Sequence, residues 1–132
     1  MKFVVNISIM KDIESRADLE VFTRQFYNRL LADEEVNYIF TDVAKINIEE
    51  HLPIITDFWE LSIFHTGPYH NNPMHVHMAL NDKEKLTAHH FDVWLSHFNK
   101  TVDDLFVGSN AEKIKTRAVS IATIMKIKVS AF

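Results

Sequence analysis

The sequence predicts a single all-α domain spanning residues 1–132. That length is typical of one domain and is enough to bury a hydrophobic core. The chain has only two glycines and three prolines, whereas an all-β fold needs turn residues every few positions. Apolar residues instead recur at intervals of three and four along most of the chain, which is the spacing of a buried helix face.

Each predicted helix follows from such an apolar stripe. Residues 1–10 alternate only weakly, so residues 1–14 are assigned to an extended N-terminal arm. The helix stripes then begin at Ser15, at about Asn47, before Phe91 and at Ser109. The segment from Asn47 to Phe64 is apolar nearly all round, which predicts a helix buried on both sides.

Composition excludes several classes of function. The chain has no cysteine, so disulfides, thiolate zinc sites and iron–sulfur clusters are excluded. The net charge is −4 and no basic run occurs, which argues against nucleic acid as a partner. No apolar stretch has the length of a membrane span, and the first residues do not form a signal peptide. We therefore expect a cytoplasmic protein with no membrane partner.

The eight histidines are the only candidate transition-metal ligands that stand out. His75 and His77 lie roughly 200° apart on a helix, so they cannot bind one metal from the same face. On a strand they could, but the turn-rich flanks and the lack of runs of β-branched residues argue against a strand. His77 shares an apolar stripe with Met74 and Met78, and from the residues alone a buried histidine bonded to a carbonyl is the stronger interpretation. His51 heads an apolar helix face and equally indicates a pocket or a helix end. The others are predicted at the surface: His65, His70, His89, His90 and His97.

Aromatic residues give the better indication of a site. The chain has ten phenylalanines, and most are expected to pack the core. However, Tyr27, His51 and Trp94 place polar tips on or beside the apolar stripes of three different helices. An aromatic pocket with a few polar groups is typical of a cofactor site.

Taken in order, these residues resemble a known family. The resemblance rests on Phe26-Tyr27, Phe40, His51 eight residues before Trp59, Pro73-Met74-x-x-His77-x-x-Leu80 and Phe91-x-x-Trp94-Leu95. This combination is similar to the group III truncated haemoglobins, whose fold packs helix pairs two over two around haem b. The poverty in glycine agrees, because members of that group lack the glycine-pair motifs of other truncated haemoglobins.

The resemblance implies a role for each matching residue. His77 corresponds to the proximal ligand of the haem iron, a role that histidine plays in globins generally. Tyr27, His51 and Trp94 correspond to the distal side, where a ligand binds. The remaining cofactor contacts implied are Phe40 at the haem edge, Ile55 in the wall, Phe91, and Tyr69 near a propionate.

The implied function is binding of O₂, NO or CO at a polar distal site. Two strong hydrogen-bond donors there would slow release of O₂, which favours redox chemistry such as NO dioxygenation or peroxide handling over oxygen transport. Such an enzyme requires electrons from a separate reductase. Two alternatives stay open: a haem-free helical domain that binds a small ligand or a partner, and a non-haem metal site at His75 and His77.

Pro53 departs from the expected pattern. It follows His51 by two residues in a segment predicted to be helical, where proline is tolerated only in the first turn. The helix is therefore predicted to start late, near Leu52, or to bend there. A loose first turn would let His51 swing between pocket and solvent and act as a gate for ligands.

Overall fold

The computed structural model describes residues 10–69 and 86–130, and these residues are helical with short connections. The four α-helices of the described part are α1 (Arg16–Ala32), α2 (Ile48–Phe64), α3 (Ala88–Leu105) and α4 (Ser109–Ser130). One π-helical turn, Ile39–Val43, lies between α1 and α2. No strand occurs among the described residues. The prediction of an all-α fold is confirmed.

The helices form two packed pairs. Helix α1 packs on α2, and α3 packs on α4. The pairs meet because α1 also contacts α3 and α2 contacts α4. This is the two-over-two arrangement that the sequence analysis predicted, and it leaves the aromatic faces of α1 and α3 against each other.

Phe98 lies at the centre of the aromatic core. Its side chain is fully buried, and its ring centroid is 4.8 Å from that of Phe22 and 5.1 Å from that of Phe26. Trp59 of α2 approaches the same ring at 5.1 Å and Trp94 at 5.2 Å. The predicted apolar stripes of α1, α2 and α3 therefore meet at one residue.

Helix α2 is not buried on both sides, so that part of the prediction is wrong. Ile54 is 46% exposed and Leu61 is 38% exposed. Thr56, although polar, is buried. Its hydroxyl lies 2.9 Å from that of Thr23 and donates to the carbonyl of Leu52 at 2.8 Å, so burial leaves it paired. Hydrogen bonding within the core is what allows a polar residue on the inner face.

Helix α2 does not start late either. It begins at Ile48, and the Asn47 side chain accepts a hydrogen bond from the backbone N–H of Glu50. Pro53 therefore lies in the second turn, where it is exposed to solvent. The Asn47 cap stabilises the first turn of α2, although Pro53 has no backbone N–H to donate to a carbonyl of that turn.

The segment before α1 is anchored to the start of α4. Ile13 is fully buried, and the Val107 N–H donates to the Lys11 carbonyl at 3.0 Å. The Asp12 carboxylate accepts from the backbone N–H groups of Asn110 and Ala111, each at 2.8 Å. Asp12 thus caps α4, and residues 11–13 are packed onto the fold rather than forming a detached arm.

Candidate functional site

A cavity of about 70 Å³ lies beside the main core, and it is partly open to solvent. Its described walls come from α1, the π-helical turn, the start of α3 and the C-terminal half of α4. None of the described lining residues carries a carboxylate, an ammonium or a guanidinium group. They are Tyr27, Leu30, Val36, Ile39, Phe40, Leu86, His90, Phe91, Trp94, Ile121, Ala122 and Met125.

Tyr27 projects from α1 into this cavity and is 6% exposed. Its hydroxyl lies 3.0 Å from Nε2 of His51 on α2, and the two rings meet edge to face at 5.2 Å. Burial raises the pKa of the Tyr27 hydroxyl above its ordinary value, so the group stays protonated and able to donate. On the surface, the Arg24 guanidinium binds the Glu49 carboxylate through two hydrogen bonds and joins the same two helices.

Trp94 forms the next part of the wall. It is half-buried on α3, and its ring lies 5.6 Å from Phe26 and 5.2 Å from Phe98. No described residue accepts a hydrogen bond from its indole N–H. Trp94 therefore brings to the cavity wall a ring held by the core and a donor that the described part of the protein does not use.

Phe40 and Phe91 also line the cavity, and both precede Trp94 in the chain. Phe40 lies in the π-helical turn, with its ring 5.7 Å from that of Tyr27. Phe91 is buried at the start of α3. The structure thus brings Tyr27, Phe40, Phe91 and Trp94 together around one space.

The other predicted site residues lie elsewhere. Ile55 is half-buried against the main core and is not among the described lining of the cavity. Tyr69 packs edge to face on Phe58 at 5.3 Å, and burial raises the pKa of its hydroxyl. His75 and His77 lie outside the described residues. The roles of all these residues in binding a cofactor stay predictions.

His90 is the site residue that sequence reasoning missed. It was predicted at the surface, which is wrong, because its ring lines the cavity and its Nε2 lies 3.1 Å from the hydroxyl of Tyr38. Two signals in the sequence could have found it. His90 stands one turn before Trp94 and so shares its helix face, and Thr87-x-x-His90 has the spacing of a capping box.

His97 was also predicted at the surface, and it is instead half-buried. Its Nε2 lies 2.7 Å from the Asp33 carboxylate, and this contact between α3 and the end of α1 lowers the pKa of Asp33. His89 remains exposed as predicted and pairs with Glu35 at 2.9 Å.

The chemistry of the described cavity wall suits a flat apolar group with polar edges, such as haem. Its described walls are aromatic and aliphatic, and they present three polar tips, from Tyr27, His90 and Trp94. Among the described residues no group of three His, Asp or Glu side chains could hold a metal ion directly. A haem needs only one protein ligand to its iron, which the predicted His77 would supply.

An all-α fold of two stacked helix pairs, with an aromatic cavity that has polar tips, defines a globin-like protein. The chain belongs to the bacterial-like globin family, whose model matches residues 8–129. The predicted resemblance to truncated globins is thereby confirmed. Membership of a globin family implies that the chain binds haem.

One solved structure makes the likeness of fold explicit. The crystal structure of the group III truncated hemoglobin from Campylobacter jejuni superimposes with a TM-score of 0.80 at 22% sequence identity. The match covers 91% of this chain and 95% of that one. No curated protein sequence matches the chain significantly. In the described part of the chain, no helix combines the length and the apolar character needed to cross a bilayer.

Proposed function

We propose that this globin binds haem b and takes up O₂, NO or CO at a polar distal site. Haem supplies a redox-active iron that binds diatomic ligands. Phe40, Phe91 and Trp94 would hold the porphyrin, with Ile55 and Tyr69 as further contacts, and His77 would bind the iron. Tyr27, His51 and Trp94 would face the ligand.

The observation that carries this proposal is the pair of Tyr27 and His51 at the cavity. Tyr27 is buried and protonated, and its hydroxyl is 3.0 Å from an imidazole on another helix. A polar pair held inside an aromatic wall is costly to bury unless its hydrogen bonds are used. A small polar ligand at this position would receive a hydrogen bond from Tyr27, and Trp94 offers a second donor.

The same two donors favour redox chemistry over oxygen transport. Each hydrogen bond to a bound ligand slows its release, and slow release suits NO dioxygenation or peroxide handling. Such a reaction needs an electron donor, so a separate reductase is the proposed partner. The cytoplasm is the proposed location.

An absorption spectrum tests the proposal first. Purified protein titrated with haemin should show an intense Soret band that saturates at one equivalent. A protein that shows no Soret band would instead be the haem-free helical domain, which is the alternative function.

Two matched variants then test the iron ligand. His77→Gly should lose stable haem binding or make it depend on added imidazole. His75→Gly should leave the spectrum nearly unchanged, because the two side chains are predicted to point in different directions on a helix. Retention of haem in the first variant and loss in the second would reverse the assignment.

A further inference from the structure

The second tyrosine–histidine pair at the cavity has a fixed direction of hydrogen bonding. The backbone N–H of Thr87 donates to Nδ1 of the His90 ring at 3.1 Å. The Thr87 hydroxyl in turn accepts from the backbone N–H of His90 at 3.3 Å. This is the capping box of α3. Since Nδ1 accepts, a neutral His90 carries its proton on Nε2.

The consequence reaches Tyr38. His90 Nε2 donates to the Tyr38 hydroxyl oxygen, which lies 3.1 Å away. The phenol can therefore use its own proton elsewhere, and no described residue accepts it. The chain of hydrogen bonds runs from the Thr87 backbone through His90 to Tyr38. It ends at the Tyr38 hydroxyl, which can still donate its own proton.

This donor lies beside the cavity, because its partner His90 lines it. The Tyr38 ring packs against the smaller buried cluster of Ile39, Leu86, Phe91, Ala122 and Met125, all five of which line the cavity. The described lining contains no carboxylate that would repel an anion or accept the proton itself. A hydrogen bond to a charged acceptor is roughly twice as strong as one between neutral groups.

We infer that Tyr38, oriented by His90, is a donor site for a carboxylate of the bound porphyrin. The inference rests on the proposed binding of haem, and it adds a residue that the resemblance did not assign. Tyr38 would touch the cofactor, whereas His90 is a positioning residue that keeps the phenolic proton available.

A comparison of haemin with its dimethyl ester tests this inference. The ester has the same ring and iron but no free carboxylate. Tyr38→Phe should weaken binding of haemin by about tenfold, the lower end of the range for hydrogen bonds to charged groups. The same variant should bind the ester as well as wild-type protein does. Both equilibrium constants are measured by titration of the Soret absorbance.

Each other outcome overturns the inference. An equal loss for haemin and ester would mean that Tyr38→Phe acts through the structure, and an unchanged haemin affinity would mean that Tyr38 does not touch a carboxylate. If wild-type protein binds no haemin, the proposed function itself fails. Thermal unfolding of the haem-free Tyr38→Phe variant beside wild-type protein shows whether it folds.

Discussion

Two tyrosine–histidine pairs each place one member in the cavity wall, and they are built differently. In the Tyr38–His90 pair, the capping box of α3 fixes the ring tautomer and so the direction of the hydrogen bond. In the Tyr27–His51 pair, the cap of α2 is made by Asn47, which accepts from Glu50. Which of Tyr27 and His51 donates depends on the tautomer of the imidazole.

The difference suggests a division of labour. A fixed donor suits a group that stays in place, such as a carboxylate of a cofactor. The Tyr27 hydroxyl, which burial keeps protonated, suits a site where a ligand comes and goes, since it can donate to a ligand when the site is occupied. The capping box of α3 sets the Tyr38–His90 pair apart.

The largest expected effect is on the free energy of unfolding, and it compares the packing around the two pairs. Phe98→Ala should lower the free energy of unfolding by about 3–5 kcal/mol, because the ring is fully buried. It lies in the core that supports Phe26, the neighbour of Tyr27. Bound haem stabilises only the folded state, so the loss should look worse in the haem-free protein. Urea denaturation with and without haemin measures both.

Met125→Ala is the matched change beside the second pair. It should cost about 2 kcal/mol, the lower end of the range for this truncation, because Met125 already faces the cavity. Near-wild-type unfolding of haem-free Phe98→Ala would mean that the centre of the core lies elsewhere.

The next effect concerns the cap of α4, the helix that carries the cavity wall near His90. Asp12→Asn should cost roughly 0.5–2 kcal/mol, as other losses of a helix cap do. Burial opposes ionisation of Asp12, but the N–H donors of Asn110, Ala111 and Ile13 lower its pKa below the ordinary 3.8. Its contribution to stability is therefore complete above that value and is lost as the pH falls through the lowered pKa. Thermal unfolding over acid pH should show this slope in wild-type protein and a weaker one in Asp12→Asn.

The cap of α3 gives a smaller and more local test. Thr87→Ala should lower the free energy of unfolding by about 1 kcal/mol, because it removes the hydroxyl that accepts from the backbone N–H of His90. It should leave the His90 tautomer unchanged, because the backbone N–H that donates to Nδ1 remains. Nitrogen-15 NMR of the imidazoles reports the tautomer directly. Asn47→Ala, at the cap of α2, is the control and should cost a similar amount. A neutral His90 that carries its proton on Nδ1 in wild-type protein would contradict the proposed chain of hydrogen bonds.

Ligand kinetics then distinguish the two tyrosines. Tyr27→Phe and Trp94→Phe should each speed O₂ release by about two- to tenfold, the value of a hydrogen bond between neutral groups. Tyr38→Phe should leave release nearly unchanged, because its proposed acceptor is on the cofactor. Stopped-flow measurements check this, and no change in either of the first two variants would remove both residues from the distal site.

The smallest predicted change tests His51 as a gate. His51→Ala should speed ligand entry while release stays nearly unchanged, and Pro53→Ala should slow entry by restoring a backbone donor to α2. If His51 is a fixed donor instead, release should accelerate as it does in Tyr27→Phe. Unchanged entry in both variants would end the gate hypothesis.

Much of the fold followed from periodicity, and the exceptions have clear causes. Leu19, Phe22, Phe26 and Phe98 face the core as their spacing predicted, because a three-to-four repeat defines one helix face. The polar Thr56 is buried rather than exposed, because its hydroxyl can pair with that of Thr23 on α1, 2.9 Å away. The apolar Ile54 and Leu61 stay exposed, because the described helices that contact α2 do not cover them.

The candidate site, like the fold, could be predicted from the sequence only in part. The order of residues from Tyr27 to Trp94 indicated the family, and four of the predicted cavity residues do line one space. The sequence places His90 on the helix face of Trp94 but could not show that its ring meets Tyr38, because a helix pattern fixes which residues share a face but not what that face meets. It also could not show that Asp12 caps a helix that begins almost a hundred residues later.

By itself, then, the sequence determined the helices and most of their buried faces, because these depend on local spacing, and its resemblance to the group III truncated haemoglobins indicated the class of protein. Only the tertiary structure decided which polar groups meet: Tyr27 with His51, Tyr38 with His90, and Asp12 with α4. Such contacts depend on where separate helices come to lie, and a hydrogen bond forms only within a few tenths of an ångström of its ideal length. The pattern along a chain carries no information at that precision.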